Sequence, residues 1–512
     1  MNQTIAPRLA SPPPVAVRRS GPSAFVAAAA LLLAPLLAFA TPGDLDAGFG
    51  TVASPGAYSF TNAQGFIGRA SAVQSTGKIV SVHGCGPQPT ADFCVTRLSA
   101  DGSQLDTTFA TSGVFTIGDP AQQEFAYALV VDNSDRILVA GKCGGASPCL
   151  FRLTANGALD SSFGVAGIAA LPGTITGTAI QLMGDGRIVV AAQCFNLHYV
   201  FCLHRRLADG GVDTSYNSGN GLAIDMSASN NQPTSLALYP DGRILIAGYC
   251  DNGNSSNSFC VARVGVNGAL DASFNGNGKK LLSVSGGTGD SSQSVALTAS
   301  GRIVLGGRCG AYGNSTSWRF CVAALTSGGA LDTSFPGGGA LTFPSTFTNV
   351  FPSGMHIAAD EKILLTGRCA ASPISMCMLR ILPGGTLDPS LGTGGSTGWV
   401  VDEGMVGSDA STSFLAPGNR LLITGTCNPS ASTTVSRACV ARFVLDPPSG
   451  ERCSLDIDDD GFVKPATDGL MWLRVMLGIR GNAVLAAPMN AGAQRNTWPL
   501  IRDHLSNNCG IN

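Results

Sequence analysis

Pro240-Asp241-Gly242-Arg243-Ile244-Leu245-Ile246-Ala247-Gly248-Tyr249-Cys250 runs from a tight turn into an apolar strand that ends on a cysteine. Phe259-Cys260-Val261-Ala262-Arg263-Val264 reads as a second strand, and Leu270-Asp271-Ala272-Ser273-Phe274 follows as a third landmark. All three recur. The Leu-Asp-x-(Ser/Thr)-Phe landmark places its aspartate at Asp46, Asp106, Asp160, Asp213, Asp271, Asp332 and Asp388, with a degenerate copy at Asp446. The successive gaps are 60, 54, 53, 58, 61, 56 and 58 residues, which makes seven units. A basic residue opens the apolar strand in every unit: Lys78, Arg136, Arg187, Arg243, Arg302, Lys362 and Arg420.

Four strands can be read from the pattern, over residues 235–239, 243–248, 260–266 and 279–284, separated by the turns Pro240-Asp241-Gly242 and Asn267-Gly268. Four antiparallel strands repeated seven times are the sequence form of an all-β, seven-bladed β-propeller, a ring that leaves no long unpaired edge. A β-solenoid, the rival architecture, has shorter units. The first unit begins at Leu45 and the last ends at Asp446, so closure is expected to depend on pairing between the two ends.

Composition agrees with a turn-rich β protein. Charged residues are 12 %, about half the usual share, and 66 glycines in 512 residues run near twice the usual frequency. Only four glutamates occur, Glu124, Glu361, Glu403 and Glu451. A formal net charge of -2 gives no electrostatic reason to expect nucleic acid or an anionic membrane as a partner.

Each unit carries one cysteine on one strand and one on the next. The neighbouring pairs are Cys85 with Cys94, Cys143 with Cys149, Cys194 with Cys202, Cys250 with Cys260, Cys309 with Cys321, Cys369 with Cys377 and Cys427 with Cys439. Seven hairpin staples are expected, each worth roughly 2–3 kcal/mol in the chain-entropy model. Sixteen cysteines fit an oxidising compartment. The N-terminus supplies the route: Arg8, Arg18 and Arg19 precede an apolar stretch over residues 24–40 that ends Ala38-Phe39-Ala40. Residues 1–40 therefore read as a signal peptide cut before Thr41. The other reading is a membrane anchor, but the run falls short of the ~20 residues that span a bilayer, and no later stretch is apolar enough to span. The mature protein is expected to be secreted or at the cell surface, with the periplasm as the alternative.

At these landmarks, from Leu45 to Asp446, the chain resembles the delta-60 repeat family, extracellular and mostly bacterial proteins with the same Leu-Asp-x-Ser-Phe-Gly and Asp-Gly-Arg-Ile-Leu-Val-Ala-Gly pattern. The resemblance implies a propeller over residues 41–447 and no single activity. The paired cysteines elaborate the ordinary repeat.

Past Pro447-Pro448-Ser449-Gly450 the pattern stops, and residues 448–512 read as a small, mainly helical module bracketed by Cys453 and Cys509, which are expected to pair. Asp456-Ile457-Asp458-Asp459-Asp460-Gly461-Phe462 places carboxylates at loop positions one, three and five, glycine at six and a carbonyl at seven, a spacing suited to calcium. Position nine is Lys464, position ten is Pro465 and position twelve is Thr467, so Asp468 is the expected closing ligand. An acidic turn without metal is the plainer alternative. A helix is expected from residue 467 to about 477, with Leu470, Leu473 and Leu477 on its buried face. The segment resembles one half of a dockerin; a true dockerin has two such loops, and no second follows.

Motifs for chemistry are scarce. No phosphate-cradling Gly-Lys-(Ser/Thr) loop occurs. His83, His198, His204, His356 and His504 lack metal-ligand spacing and are read as packing or surface residues. A ring of seven units does not need seven active sites, so the repeated aspartates and arginines are expected to hold turns and to pair within or between blades. Glycoside hydrolysis would require two carboxylates at a set separation, with Glu124, Glu361, Asp402 and Glu403 as the off-repeat candidates. The leading expectation is a monomeric, non-catalytic binding or scaffolding protein for an extracellular protein or polysaccharide. An extracellular carbohydrate-active hydrolase or lyase, and a surface adhesin or matrix component, are the alternatives. A binder should expose an aromatic patch, with Trp318 and Trp399 as candidates.

Overall fold

A computed structural model describes residues 42–51, 54–64, 68–85, 92–117, 126–142, 148–227, 229–251, 256–286, 288–311, 313–314, 317–343, 348–358, 360–370, 374–392, 399–401, 409–427, 437–445, 468–476, 484 and 501. All of them belong to the compact unit Ala40–Asn512. The expected leader, the calcium-loop residues Asp456, Asp458, Asp460 and Phe462, and the expected pair of Cys453 with Cys509 lie outside the described residues.

Seven four-stranded antiparallel sheets form a seven-bladed β-propeller. Their first, innermost strands are Gly68–Val73, Ala126–Val131, Thr174–Leu182, Asn231–Leu238, Ser291–Leu297, Thr348–Ile357 and Asp409–Ala416, which number blades 1 to 7. Each packs against the first strand of the next blade, and the seventh packs against the first. Second and third strands are buried on both faces, as in Ile137–Lys142 and Pro148–Leu153, which is why their sequences read as near-continuous apolar runs.

Blade 4 consists of Asn231–Leu238, Ile244–Asp251, Asn257–Val264 and Lys279–Leu282, overlapping all four strands read from the sequence. The sequence unit and the blade are out of phase. The strand that follows each Leu-Asp-x-(Ser/Thr)-Phe is the outermost strand of the blade whose other three precede the motif. The first such strand, Ala57–Gln64, has no blade before it. It completes blade 7, pairing Ala57 with Ala441, Tyr58 with Val440 and Ser59 with Cys439, while Leu45 bridges Phe443. Closure thus joins the two ends of the chain, as the repeat pattern requires.

Six staples are present as expected. Cys85 is bonded to Cys94, Cys194 to Cys202, Cys250 to Cys260, Cys309 to Cys321, Cys369 to Cys377 and Cys427 to Cys439, with Cα atoms 5.6–6.0 Å apart. Cys149 is also disulfide-bonded, and its expected partner Cys143 lies outside the described residues. No described cysteine is free. That usage belongs to an oxidising compartment. No helix among the described residues is long and apolar enough to cross a membrane.

In the tail, one short helix spans Asp468–Met476, close to its expected ends. Its buried face differs from the expected one. Met471, Trp472 and Val475 are buried, whereas Leu470 is half-buried and Leu473 is 51 % exposed. Trp472 and Met471 carry more apolar surface than Leu473, and burying them rotates the helix so that Leu473 faces water. Leu477 lies outside the described residues.

Candidate functional site

Each blade presents loops at two ends. One end carries the turns between first and second strands together with the Leu-Asp-x-(Ser/Thr)-Phe segments. The other carries the hairpins between second and third strands, with the disulfides just inside.

At the first end the repeated residues form latches. Arg97 Nε donates to Asp106 at 2.8 Å, Nη2 donates to Thr108, and Nη1 donates to the carbonyl of Ala155 in the next blade. Arg152 repeats this with Asp160, Ser162 and Ala208, Arg205 with Asp213, Ser215 and Val266, and Arg263 with Asp271, Ser273 and Ser327. Arg442 closes the ring, reaching Asp46 and the carbonyl of Ala100. Each of these guanidiniums also stacks on the motif's aromatic ring, from Arg205 at 4.5 Å from Tyr216 to Arg263 at 5.0 Å from Phe274. Blade 5 has Ala324 in place of the arginine, and Arg302 supplies the ion pair with Asp332 at 2.7 Å instead. Burial alone would raise the Asp106 carboxyl, but Lys78, Thr108 and Arg97 outweigh it and hold it well below the usual carboxylate range. The repeated aspartates and arginines therefore hold turns and join blades.

The innermost strands share a second regularity. All seven contain a register shift at one level, at Arg69, Tyr127, Thr178, Thr234, Gln293, Ser353 and Ser411. All seven residues line the central channel, a cavity of about 1190 Å³. A β-bulge re-aims a side chain out of the pleat, so the channel carries a ring of one cation and six uncharged polar groups. Arg69 has no hydrogen-bond or ion-pair partner among the described residues. The channel's carboxylate, Asp132, is paired with Arg136 at 2.7 Å.

Beside the bulge every blade has a glycine, and its strand varies. Gly141, Gly248, Gly307, Gly367 and Gly425, on second strands, oppose Ala126, Pro233, Ser292, Pro352 and Ala410. In blades 1 and 3 the glycine lies on the first strand instead: Gly68 opposes His83 and Gly177 opposes Ala192. An added Cβ at Gly248 would collide with the Gln232 carbonyl, and at Gly425 with that of Asp409. The Ala-Gly end of the repeat exists to admit the bulge.

At the hairpin end the cysteines are structural. Cys94, Cys321 and Cys377, on third strands, are buried and committed to their disulfides, so they offer no thiol to a ligand or substrate. Residues that break the repeat gather around the staples of blades 5 to 7. The position before the first cysteine of each pair is Gly84, Lys142, Gln193, Tyr249, Arg308, Arg368 and Thr426. The Arg308 guanidinium lies 3.8 Å from the Trp318 ring centroid and 5.1 Å from that of Phe351, and Arg368 lies 3.9 Å from the Phe351 ring. Trp318 and Phe351 meet edge to face at 4.9 Å, and the Trp318 ring N–H donates to Ala311. Arg368 donates to Asp409 of blade 7 at 3.0 Å. Arg308 has no acidic partner among the described residues, and the Nε atoms of both arginines are buried without a hydrogen-bond partner there. Burial, with the like charge of Arg368 adding to it against the opposing pull of Tyr249, lowers the pKa of Arg308. Burial also pushes the Asp409 carboxyl up, against the pull of Arg368. All five residues are half-buried or at the margin of exposure, so each keeps an edge in water.

Of the residues singled out from sequence, Trp318 joins this cluster. Trp399 pairs with Leu379 at the outer edge of blade 6. Glu361 sits in a turn at φ +60°, while Glu124, Asp402, Glu403 and His504 lie outside the described residues. His83 is fully buried, stacked on Phe60 at 4.4 Å and bonded to the Gly84 carbonyl; His356 lines the channel, 2.8 Å from Ser413. His198 reaches Asp225 at 3.1 Å. His204 lies close to the sulfurs of Cys194 and Cys202, but these form a disulfide and are not available as thiolate ligands. Arg308, Phe351 and Arg368 were not anticipated. The signal for the two arginines was a guanidinium at a repeat position that holds uncharged residues in four other blades and Lys142 in the fifth.

Three segments, residues 133–163, 240–274 and 298–335, match the family model described as a domain of unknown function (DUF5122) beta-propeller. No curated protein matches the chain. Similar solved structures include Sqt1 from Chaetomium thermophilum, with 13 % identity, covering 78 % of this chain and 99 % of that one at a TM-score of 0.44. A protein of unknown function from Dyadobacter fermentans DSM 18053 is 13 % identical, covering 77 % of this chain and all of that one at a TM-score of 0.39. The polysaccharide lyase Uly1 is 10 % identical, covering 77 % and 93 % at a TM-score of 0.43.

Proposed function

We propose that the protein is a secreted, non-catalytic recognition scaffold, in which the latched ring is a rigid frame and the hairpin face of blades 5 to 7 takes the ligand. The observation that carries this reading is the gathering of Trp318, Arg308, Phe351 and Arg368, which no repeat function requires, at one solvent-facing edge. Stacked guanidinium and aromatic groups are recognition chemistry, offering planar apolar area and directed donors together. The resemblance of the repeats to the delta-60 family agrees with an extracellular setting, and the expected leader over residues 1–40 provides the export route.

The tail adds a calcium-dependent fold or contact. Asp456, Asp458 and Asp460, the Phe462 carbonyl and Asp468 are hard oxygen donors of the kind calcium takes. Asp468 opens the helix Asp468–Met476, which places it at the start of the element the loop leads into. Calcium chelation should lower the melting temperature of the tail in the intact chain but not in an Asp458→Ala, Asp460→Ala variant; equal calcium affinity in the variant rejects the loop.

The test of the whole reading is a binding and turnover screen of residues 41–512 against a polysaccharide panel, with and without calcium. Binding without turnover, weakened at least tenfold by Trp318→Ala, is the expected result. Turnover abolished by replacing Glu124, Asp402 or Glu403 would overturn it in favour of a hydrolase or lyase.

A further inference from the structure

We propose that the hairpin face of blades 5 to 7 binds an oxyanion, a carboxylate or a sulfate ester, in the joint field of Arg308 and Arg368 against the Trp318 and Phe351 rings. This rests on the recognition reading for its place on the molecule and goes further in naming the chemistry of the ligand.

Two guanidiniums lie within 5.1 Å of one ring centroid, that of Phe351, so their fields overlap at that ring's edge. Among the described residues a single carboxylate, Asp409, answers them, and it pairs with Arg368. Among the described residues one positive charge is therefore left over. The latch arginines are not left this way: Arg97, Arg152, Arg205, Arg263 and Arg442 each have an aspartate within 2.9 Å and a carbonyl besides. Arg308 has neither among the described residues, yet its position is held by stacking on Trp318. Stacking fixes a planar cation while leaving its edge donors unused, the arrangement that suits a bidentate oxyanion. The aromatic walls lower the local dielectric and strengthen that attraction.

A structural role alone would make Arg308 an inter-blade prop, and the two roles separate in experiment. The intact residues 41–512 are titrated with sodium sulfate and with sodium acetate at constant ionic strength, following tryptophan fluorescence and the melting temperature. Saturable binding of at least one anion is expected, weakened tenfold or more in Arg308→Met. Asp409→Asn is expected to tighten binding severalfold, because it removes the competing carboxylate from Arg368. The choice between sulfate and acetate identifies the oxyanion. An anion response that is absent, or unchanged in Arg308→Met, overturns the proposal, as does weaker anion binding in a folded Asp409→Asn variant. Polymer arms separate this from the broader reading. Neutral dextran bound equally by wild type and Arg308→Met, and lost in Trp318→Ala, keeps the recognition scaffold and rejects the oxyanion. Sulfate or acetate bound with no polymer bound keeps the oxyanion site and rejects the polysaccharide scaffold.

Discussion

His83 stands where five other blades carry glycine, with Gly68 opposite it on the first strand. Burial holds its imidazole to about 4, and burial does the same to His204, with Arg206 adding to the effect, and to His356. An unfolded histidine titrates near 6.5 and so takes up a proton that the native chain refuses. Stability is therefore complete above about pH 6.5 and falls as pH drops toward 4, where this loss ends. For His83 the difference is about 3 kcal/mol. The latch aspartates behave differently: their pKa values are depressed below 3.8, so their contribution is present above that value and is lost at still lower pH. Thermal unfolding followed from pH 8 to pH 3 should fall in these two stages, and His83→Gln should shrink the first; a flat melting temperature between pH 7 and 4.5 would contradict neutral burial.

Within the blade, what is preserved from sheet to sheet is the residue pair beside the bulge. Every blade has one glycine in that pair, on the second strand in five blades and on the first strand in two. On the second strand that glycine admits the close backbone approach, whereas a Cβ at Gly177 would make only ordinary contact with Ala140 and Val190, and one at Gly68 would meet Thr424 and Gly425 of blade 7. Gly248→Ala should cost about 2–4 kcal/mol by forcing the Gln232 carbonyl aside. The loss is read as the shift in denaturant midpoint. A Gly248→Ala variant as stable as the wild type would show that the strand pair has room for a Cβ. The Ala-Gly ending of the repeat was visible in the sequence, but its cause was not, because the bulge lies on the neighbouring strand.

For the ring as a whole, the phase between sequence unit and blade makes closure depend on the first strand. Ala57–Gln64 supplies the outer strand of blade 7, and Asp46 answers both Arg420 at 2.7 Å and Arg442 at 2.9 Å, almost 400 residues away. Removing residues 41–64 would expose the third strand of blade 7 and leave those two arginines without their acid. Loss of cooperative unfolding and concentration-dependent association are expected, read by calorimetry and light scattering. A truncated chain that melts like the full one would show that closure is held elsewhere.

The number of blades, the four strands of each, the neighbouring cysteine pairs such as Cys309 with Cys321 and Cys369 with Cys377, and the dependence of closure on both ends could all be read from the order of residues. These follow from local periodicity and from turn chemistry, which consecutive residues carry whatever the rest of the chain does. Which blade each outer strand joins, which side of the tail helix is buried, and which off-repeat residues meet were settled by folding in three dimensions. Trp318 was legible as a single bulky aromatic, but its neighbours were not. Arg308 and Arg368 lie 60 residues apart and come to the same ring because closure stacks equivalent positions of adjacent blades side by side. A one-dimensional repeat marks those positions as equivalent; only the closed propeller makes them neighbours.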